Sequence, residues 1–267
     1  MAHEKPLKQK IVHLLRRMRL ISAAESVYFY YLLARSYREN KAFEALHPDF
    51  IHPPLAVMHD AHGNTSFAAY WHVGHDIAEY LAVLIKKYNP EPKTVLEWGC
   101  GPARVLRHMP ALFPGTAFSG SDYNKATIAW CKAALLNITF FTNELSPPLA
   151  FADGSLDVIY AISVLTHLSQ AHQQSWLKEL KCVVRPGGLI ILTTHGVHAS
   201  DAVLLPQERE HLKRNGVIIR KGVREGKRCY LSYHDPVYVR EHLFMGMDVC
   251  EHITDNPTRQ DVWVLRA

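Results

Sequence analysis

Cysteine is scarce in this sequence and poorly placed for cross-linking. The five, Cys100, Cys131, Cys182, Cys229 and Cys250, are odd in number, far apart and never in a C-x-x-C pair. That argues against a disulfide framework or a zinc ribbon and for a reducing, cytoplasmic setting. Long apolar runs are missing too. None reaches membrane-spanning length, and the basic start lacks the apolar stretch and small-residue cleavage site of a signal peptide. No internal repeat and no low-complexity tract is found, so solenoids and fibres are set aside. Nor is there a broad surplus of one charge. Lys and Arg number 30 against 25 Asp and Glu, a formal charge of +5. Lys5, Lys8, Lys10, Arg16, Arg17 and Arg19, set against Glu4, already account for that excess within the first twenty residues. A nucleic-acid enzyme spreads basic residues along a binding face, so no nucleic-acid partner is expected. The amphipathic stretch 11–20 reads as a terminal helix, either solvated or turned toward a protein or an anionic membrane surface.

What is present is ordinary globular composition, 267 residues of which 48% are hydrophobic and 21% charged, enough for one sizeable core and an appended subdomain. Up to about Tyr88 the pattern is helical or irregular. It holds an aromatic-rich run at 27–34, a proline-broken segment at 47–54, and a helix at 70–88 stopped by Asn89, Pro90 and Pro92. Residues 1–92 are therefore expected to form an N-terminal helical cap or substrate lid, and residues 93–267 a separate α/β domain. In that second part β-rich runs at 94–97, 117–121, 138–142, 156–161 and 189–193 alternate with helical ones. Strands separated by helices imply right-handed crossovers, a mainly parallel sheet covered on both faces, and ligands at the strands' carboxyl ends. Past His195 the rhythm changes. Runs at 217–223 and 228–233 flank Arg224-Glu225-Gly226-Lys227, a predicted β-hairpin whose glycine supplies a positive φ. Asp235-Pro236 starts a short helix to Leu243, and runs at 247–252 and 261–265 are the strands that close the sheet.

The most informative stretch is Val95-Leu96-Glu97-Trp98-Gly99-Cys100-Gly101-Pro102-Ala103-Arg104, which leaves a strand, turns on glycines and enters a helical run. Glycines belong there because a side chain would fill the space in which a ligand lies against backbone. A dinucleotide fingerprint wants a third small residue where helix and strand pack closely, and Arg104 stands there instead. Glu97 suits a ligand carrying an ammonium group. Asp122 closes the next strand, about twenty residues beyond the loop, where an acid accepts both hydroxyls of a ribose. Its alternative role is to cap the helix that starts near Asn124. Tyr123 would then lie beside the base.

On these residues the chain resembles the class I, Rossmann-like S-adenosylmethionine-dependent methyltransferases of the bacterial small-molecule kind, over residues 70–196 with a looser tail to Ala267. The segment from Leu96 to Ala103 is similar to the family's E-x-G-x-G-x-G loop, with Ala103 where the third glycine often stands. The resemblance implies a Rossmann-like seven-stranded, mainly parallel sheet with helices on both faces, carrying the helical cap and a late β-hairpin insertion. It implies S-adenosyl-L-methionine as cofactor and S-adenosyl-L-homocysteine as product. It implies Glu97, Gly99, Cys100 and Gly101 along the loop, Asp122 at the ribose with Tyr123 after it, and Asn143 and Glu144 near the adenine. Ser163, in Ala161-Ile162-Ser163-Val164, falls past the methionine end. Gly74, in Tyr70-Trp71-His72-Val73-Gly74-His75, stands where relatives reach that end; a glycine within a helix also serves close approach of a neighbouring helix. Val184-Arg185-Pro186-Gly187-Gly188-Leu189 is similar to the family's turn into the fifth strand, which is structural.

Displacement at a sulfonium needs alignment and exclusion of water but no covalent nucleophile. A hydroxyl acceptor gains from a positioned base, and histidine titrates near neutrality. His167 past the fourth strand, His195 past the fifth and His234 ahead of the late helix are the candidates, each also readable as a binding or packing residue. His72 and His75, like His195 and His198, are three apart, yet no carboxylate or cysteine pattern completes a metal site. Ser146-Pro147-Pro148-Leu149 precedes the fourth strand and lacks the aromatic ring on which a flipped base would stack, which disfavours a nucleobase acceptor. The expectation is O-methylation of a small-molecule or glycan hydroxyl, by analogy with relatives. An aminopropyltransferase-like enzyme and a non-catalytic cofactor-binding scaffold are the alternatives.

Overall fold

The computed structural model describes residues 12–18, 20–220 and 222–267. Lys5, Lys8, Lys10 and Arg19 of the basic terminus lie outside them, and residues 12–17 of the predicted terminal helix are helical. The aromatic-rich run at 27–34 is no separate element. It is the middle of α1 (Ile21–Leu46), whose buried Leu32, Ser36, Asn40 and Phe43 recur at three- and four-residue steps, the spacing of one helix face. After α2 (Leu55–His62), α3 (Phe67–Tyr88) starts on Ser66, whose hydroxyl accepts the Ala69 amide at 3.2 Å. Asn40 ties the helices together, donating to the Thr65 carbonyl at 2.7 Å and accepting the Phe67 amide at 2.9 Å.

The main sheet has seven strands in the order β3-β2-β1-β4-β5-β9-β8. Strands β1 (Thr94–Trp98), β2 (Ala117–Asp122), β3 (Thr139–Thr142), β4 (Leu156–Ala161) and β5 (Val184–Thr194) run parallel, and β9 (Asp261–Arg266) lies antiparallel between β5 and β8 (Asp248–Ile253). Alternate residues serve opposite layers. Val95, Val158, Tyr160 and Ile191 join Ile77, Leu81 and Ile85 of α3 and Ile128 of α4 (Lys125–Ala134). Leu96, Trp98, Ile159 and Ile190 join Trp176, Leu177 and Leu180 of α5 (Gln170–Val183). Cover on both faces explains why these strands read as apolar runs. Val184 pairs with Leu156 and Leu189 with Val158, so residues 185–188 loop out, on φ +74 at Gly187.

The late hairpin is present with different bounds. β6 (Val217–Arg220) and β7 (Leu231–His234) form their own two-stranded sheet, after α6 (Val197–Val203) and α7 (Pro206–Asn215). Because Arg220 already pairs with Leu231, the 224–227 turn, closed by the Lys227 amide on the Arg224 carbonyl at 3.2 Å, does not join the strands directly but lies within a longer loop. Gly226 keeps the expected positive φ, +84. Among the described residues no helix is long and apolar enough to cross a membrane.

Candidate active site

The parallel strands deliver their carboxyl ends to one edge, where a cavity of about 530 Å³ opens. The glycine loop forms its floor. Gly99 and Gly101 take φ of +70 and +50, and Ala103 takes +58, the left-handed conformation that a third glycine would adopt freely. A Cβ on Gly99 would lie 2.3 Å from Val164 Cγ2. The amides of Gly99 and Cys100 donate to the Ser121 carbonyl at 2.7 and 2.9 Å, and the Tyr70 hydroxyl donates to the Pro102 carbonyl at 2.6 Å. The loop is thus clamped from β2 and from α3.

Gly74 departs from the expectation for it. It is not among the residues lining the cavity; its missing side chain makes room for the Arg104 carbonyl, which would stand 2.1 Å from a Cβ. Gly74→Ala should therefore act through packing. Overfilling of this kind costs about 1–3 kcal/mol, so the expected loss in Tm is roughly 3–10 °C. An unchanged melting curve would contradict the contact.

Two carboxylates flank the loop. Asp122 Oδ2 accepts the Gly101 amide at 3.0 Å and Oδ1 the Asn124 amide at 2.8 Å, and desolvation raises its pKa above the usual range. The capping role belongs to Asn124, whose Oδ1 accepts the Thr127 amide. Glu97 is buried, 4% exposed, and its pKa is pushed up to about 8 by burial, partly offset by the Tyr160 hydroxyl at 3.1 Å and by Arg104. Arg104 faces the same cavity with Nε enclosed and unpartnered among the described residues, as is His62 Nε2. An acid whose ionisation burial opposes, near a guanidinium whose Nε has no partner among the described residues, suits a zwitterionic amino-acid end. Neither Tyr160 nor His62 stood out in the sequence, and Arg104 was informative there only for what it excluded. Tyr160 reaches Glu97 because the parallel register of β1 and β4 pairs the two positions.

At the far side Asn143 donates to the Glu144 carbonyl at 2.7 Å and leaves Oδ1 enclosed without a partner among the described residues. Glu144 is exposed, 3.8 Å from Lys125. Ser163 holds φ +66, a strained conformation for a residue with a side chain. Its amide donates to Thr193 Oγ1 at 2.7 Å, and its hydroxyl accepts from Gln260 Nε2 at 2.7 Å. The long loop between β6 and β7 closes the roof. Tyr123 donates its hydroxyl to the Gly226 carbonyl at 3.0 Å, Lys227 pairs with Asp60 of α2 at 3.0 Å, and Arg228 pairs with Glu25 of α1.

Of the three histidines, His167 and His195 line the cavity and His234 does not. His234 is fully buried behind them, its Nε2 3.2 Å from Gln173 Oε1, and burial drives its pKa down to about 3. Its position on β7 turns it into the interior, so it is a packing residue. His167 Nδ1 lies 2.7 Å from the Tyr230 carbonyl and His195 Nδ1 lies 3.1 Å from the Ser232 carbonyl. A carbonyl only accepts, so both rings carry their proton on Nδ1 and present a bare Nε2. Burial lowers the pKa of His167, and burial with His167 nearby lowers that of His195 to about 4. Among the described residues no group of three or more His, Cys, Asp or Glu is arranged to hold a metal.

A family model described as a methyltransferase domain matches residues 95–188. An uncharacterized methyltransferase of Schizosaccharomyces pombe is 25% identical, over 59% of this chain. The chain spans 59% of the length of that curated relative. Among solved structures, the PH0226 protein of Pyrococcus horikoshii superposes with a TM-score of 0.57 at 17% identity, over 75% of this chain and 95% of that one. CalS10 from Micromonospora echinaspora, solved with S-adenosylmethionine bound, gives 0.52 at 16%, over 72% and 91%. MtfA, also solved with S-adenosylmethionine, gives 0.51 at 14%, over 72% and 92%. The family match begins in β1 and ends within β5, so it spans the glycine loop, strands β2 to β4 and the start of β5. Residues 95–188 thus match a methyltransferase domain, and the strand order places them in the α/β fold shared with structures solved with S-adenosylmethionine bound.

Proposed function

We propose that this protein methylates a hydroxyl of a small molecule or glycan, with His167 as the general base. The observation that carries the reading is the bare Nε2 that a pinned, neutral His167 offers to the cavity. When bound, S-adenosylmethionine supplies the methyl group: the acceptor oxygen forms the new C–O bond while the C–S electron pair leaves on a sulfur that becomes a neutral thioether. His167 Nε2 takes the hydroxyl proton and later returns it to solvent. Glu97 would hold the cofactor's ammonium, Arg104 its carboxylate, Asp122 the ribose hydroxyls, and Asn143 Oδ1 the adenine side. Residues 1–92 act as the cap through α1 and α2, whose Ile21, Glu25, Val57 and Asp60 face the cavity and exclude water. CalS10 is named as an amino pentose methyltransferase and MtfA as a glycopeptide N-methyltransferase. Those names support a sugar-bearing acceptor, whereas the choice of oxygen rests on the histidines. Free thiols at Cys100 and Cys131 favour a reducing, cytoplasmic setting.

Radiolabelled methyl transfer to a cell extract tests the reading. Label is expected in an ether that survives acid and alkali, and label only in amines or esters would overturn it. Glu97 adds a pH signature. Its folded pKa of about 8 exceeds the ordinary 4.5, so the folded state binds an extra proton between those values. The unliganded chain therefore loses stability as pH rises through that window. A ligand ammonium favours the carboxylate, so binding releases that proton below pH 8. S-adenosylhomocysteine affinity should rise about tenfold per pH unit approaching 8, and calorimetry in buffers of different ionisation enthalpy should show the released proton. Glu97→Gln should flatten both.

A further inference from the structure

We propose that the acceptor is a diol, with one hydroxyl held by His195 while its neighbour is methylated against His167. The inference rests on the hydroxyl-methylation reading and adds the substrate class. The two rings hang from the carbonyls of Tyr230 and Ser232, residues two apart on one extended segment. Carbonyls at that spacing point the same way along a strand edge, roughly 7 Å apart. Both rings line the cavity, His195 feels the charge of His167, and stacking on Tyr233 at 5.0 Å fixes the His195 plane. Each Nδ1 proton is committed to a carbonyl, so neither ring donates to the other and both Nε2 atoms are acceptors only. Neither Nε2 has a partner among the described residues, and neither is sealed from the cavity. Two adjacent bare acceptors call for two adjacent donors, and hydroxyls on neighbouring carbons of a sugar or cyclitol ring supply them. One acceptor would suffice for the chemistry alone. The second fixes which hydroxyl of the pair reaches the methyl group.

The test uses the full chain loaded with S-adenosylhomocysteine and carrying ring-15N histidine. The probes are cis-cyclohexane-1,2-diol, methyl α-mannopyranoside and the mono-ether 2-methoxycyclohexanol. Each diol is expected to move the Nε2 resonances of both His167 and His195, and the mono-ether that of one ring. Loss of one hydrogen bond to a desolvated acceptor should leave the ether about tenfold weaker than its diol. That preference should vanish in His195→Ala and return in part in His195→Gln, which keeps an acceptor; both variants should still show the S-adenosylhomocysteine thermal shift. Equal affinity for diol and ether, an unmoved His195 resonance, or silence with every probe would overturn the proposal while the cofactor shift leaves the methyltransferase reading standing. Stoichiometric binding of Zn2+ alone by the two rings would overturn it in favour of a metal pair. Absence of any cofactor shift would overturn both readings.

Discussion

Asp122→Ala is expected to weaken S-adenosylhomocysteine binding at least about 100-fold while the chain stays folded. The carboxylate accepts the Gly101 amide on one oxygen and the Asn124 amide on the other, so each oxygen is aimed and keeps a lone pair for a further donor. On the proposed reading, two ribose hydroxyls supply those donors. A hydrogen bond to a charged group contributes about 1.5–3 kcal/mol, and about 2.7 kcal/mol is a factor of 100. The core does not depend on Asp122, which sits at the end of β2 with one face to the cavity. Calorimetry with the variant gives the number. Asp122→Asn keeps the shape and one acceptor and should fall between. Affinity within about threefold of the parent would remove Asp122 from the ribose site.

His167→Ala should lower kcat by about 10²–10⁴-fold, the usual span for a general base, with S-adenosylhomocysteine affinity unchanged. Its folded pKa lies below the ordinary 6.5 because of burial, so the active, neutral ring is already present at neutrality. The parent's kcat should climb with pH on the acid side and level off before pH 7, and the variant should lose that limb. The depressed values also carry a stability sign. His195 at about 4 and His234 at about 3 hold no proton in the folded state where unfolded histidine does. Stability is therefore lost as pH falls from 6.5 toward those values. A kcat loss under about fivefold, or an unchanged acid limb, would make His167 a binding residue rather than the base.

How well each feature could be read in advance follows how local its cause is. The strand positions were legible within a residue or two because alternation across a doubly covered sheet leaves a pattern in the chain itself. The exceptions are β5, which starts five residues earlier than expected because its turn is held as a bulge in the ladder, and the hairpin strands β6 and β7, whose inner ends stop short of the expected turn. Gly226 was recognised by its need for positive φ, but not the loop it belongs to, since loop length follows from the Arg220–Leu231 pairing. Gly74 is expected to meet a ligand or a neighbouring helix, and it meets instead the loop backbone at Arg104, because how α3 crosses the loop is set by tertiary packing. The same holds for His234. It lies one residue from Tyr233 and two from Ser232, and the direction of its ring is set by β7 rather than by its neighbours in sequence.

The sequence by itself determined the fold class and the match to a methyltransferase domain over residues 95–188. These depend on a strand, a turn and a helix succeeding one another with glycines and acids at set spacings, and such causes act within a few dozen residues of chain. Only the tertiary structure decided which groups share the cavity. Glu97 meets Tyr160 and feels the charge of Arg104, and His167 and His195 both line the cavity while His234 does not. A side chain's partners and protonation are set by strand register and by which carbonyl lies across from it, and both exist only once segments far apart in the chain have packed together.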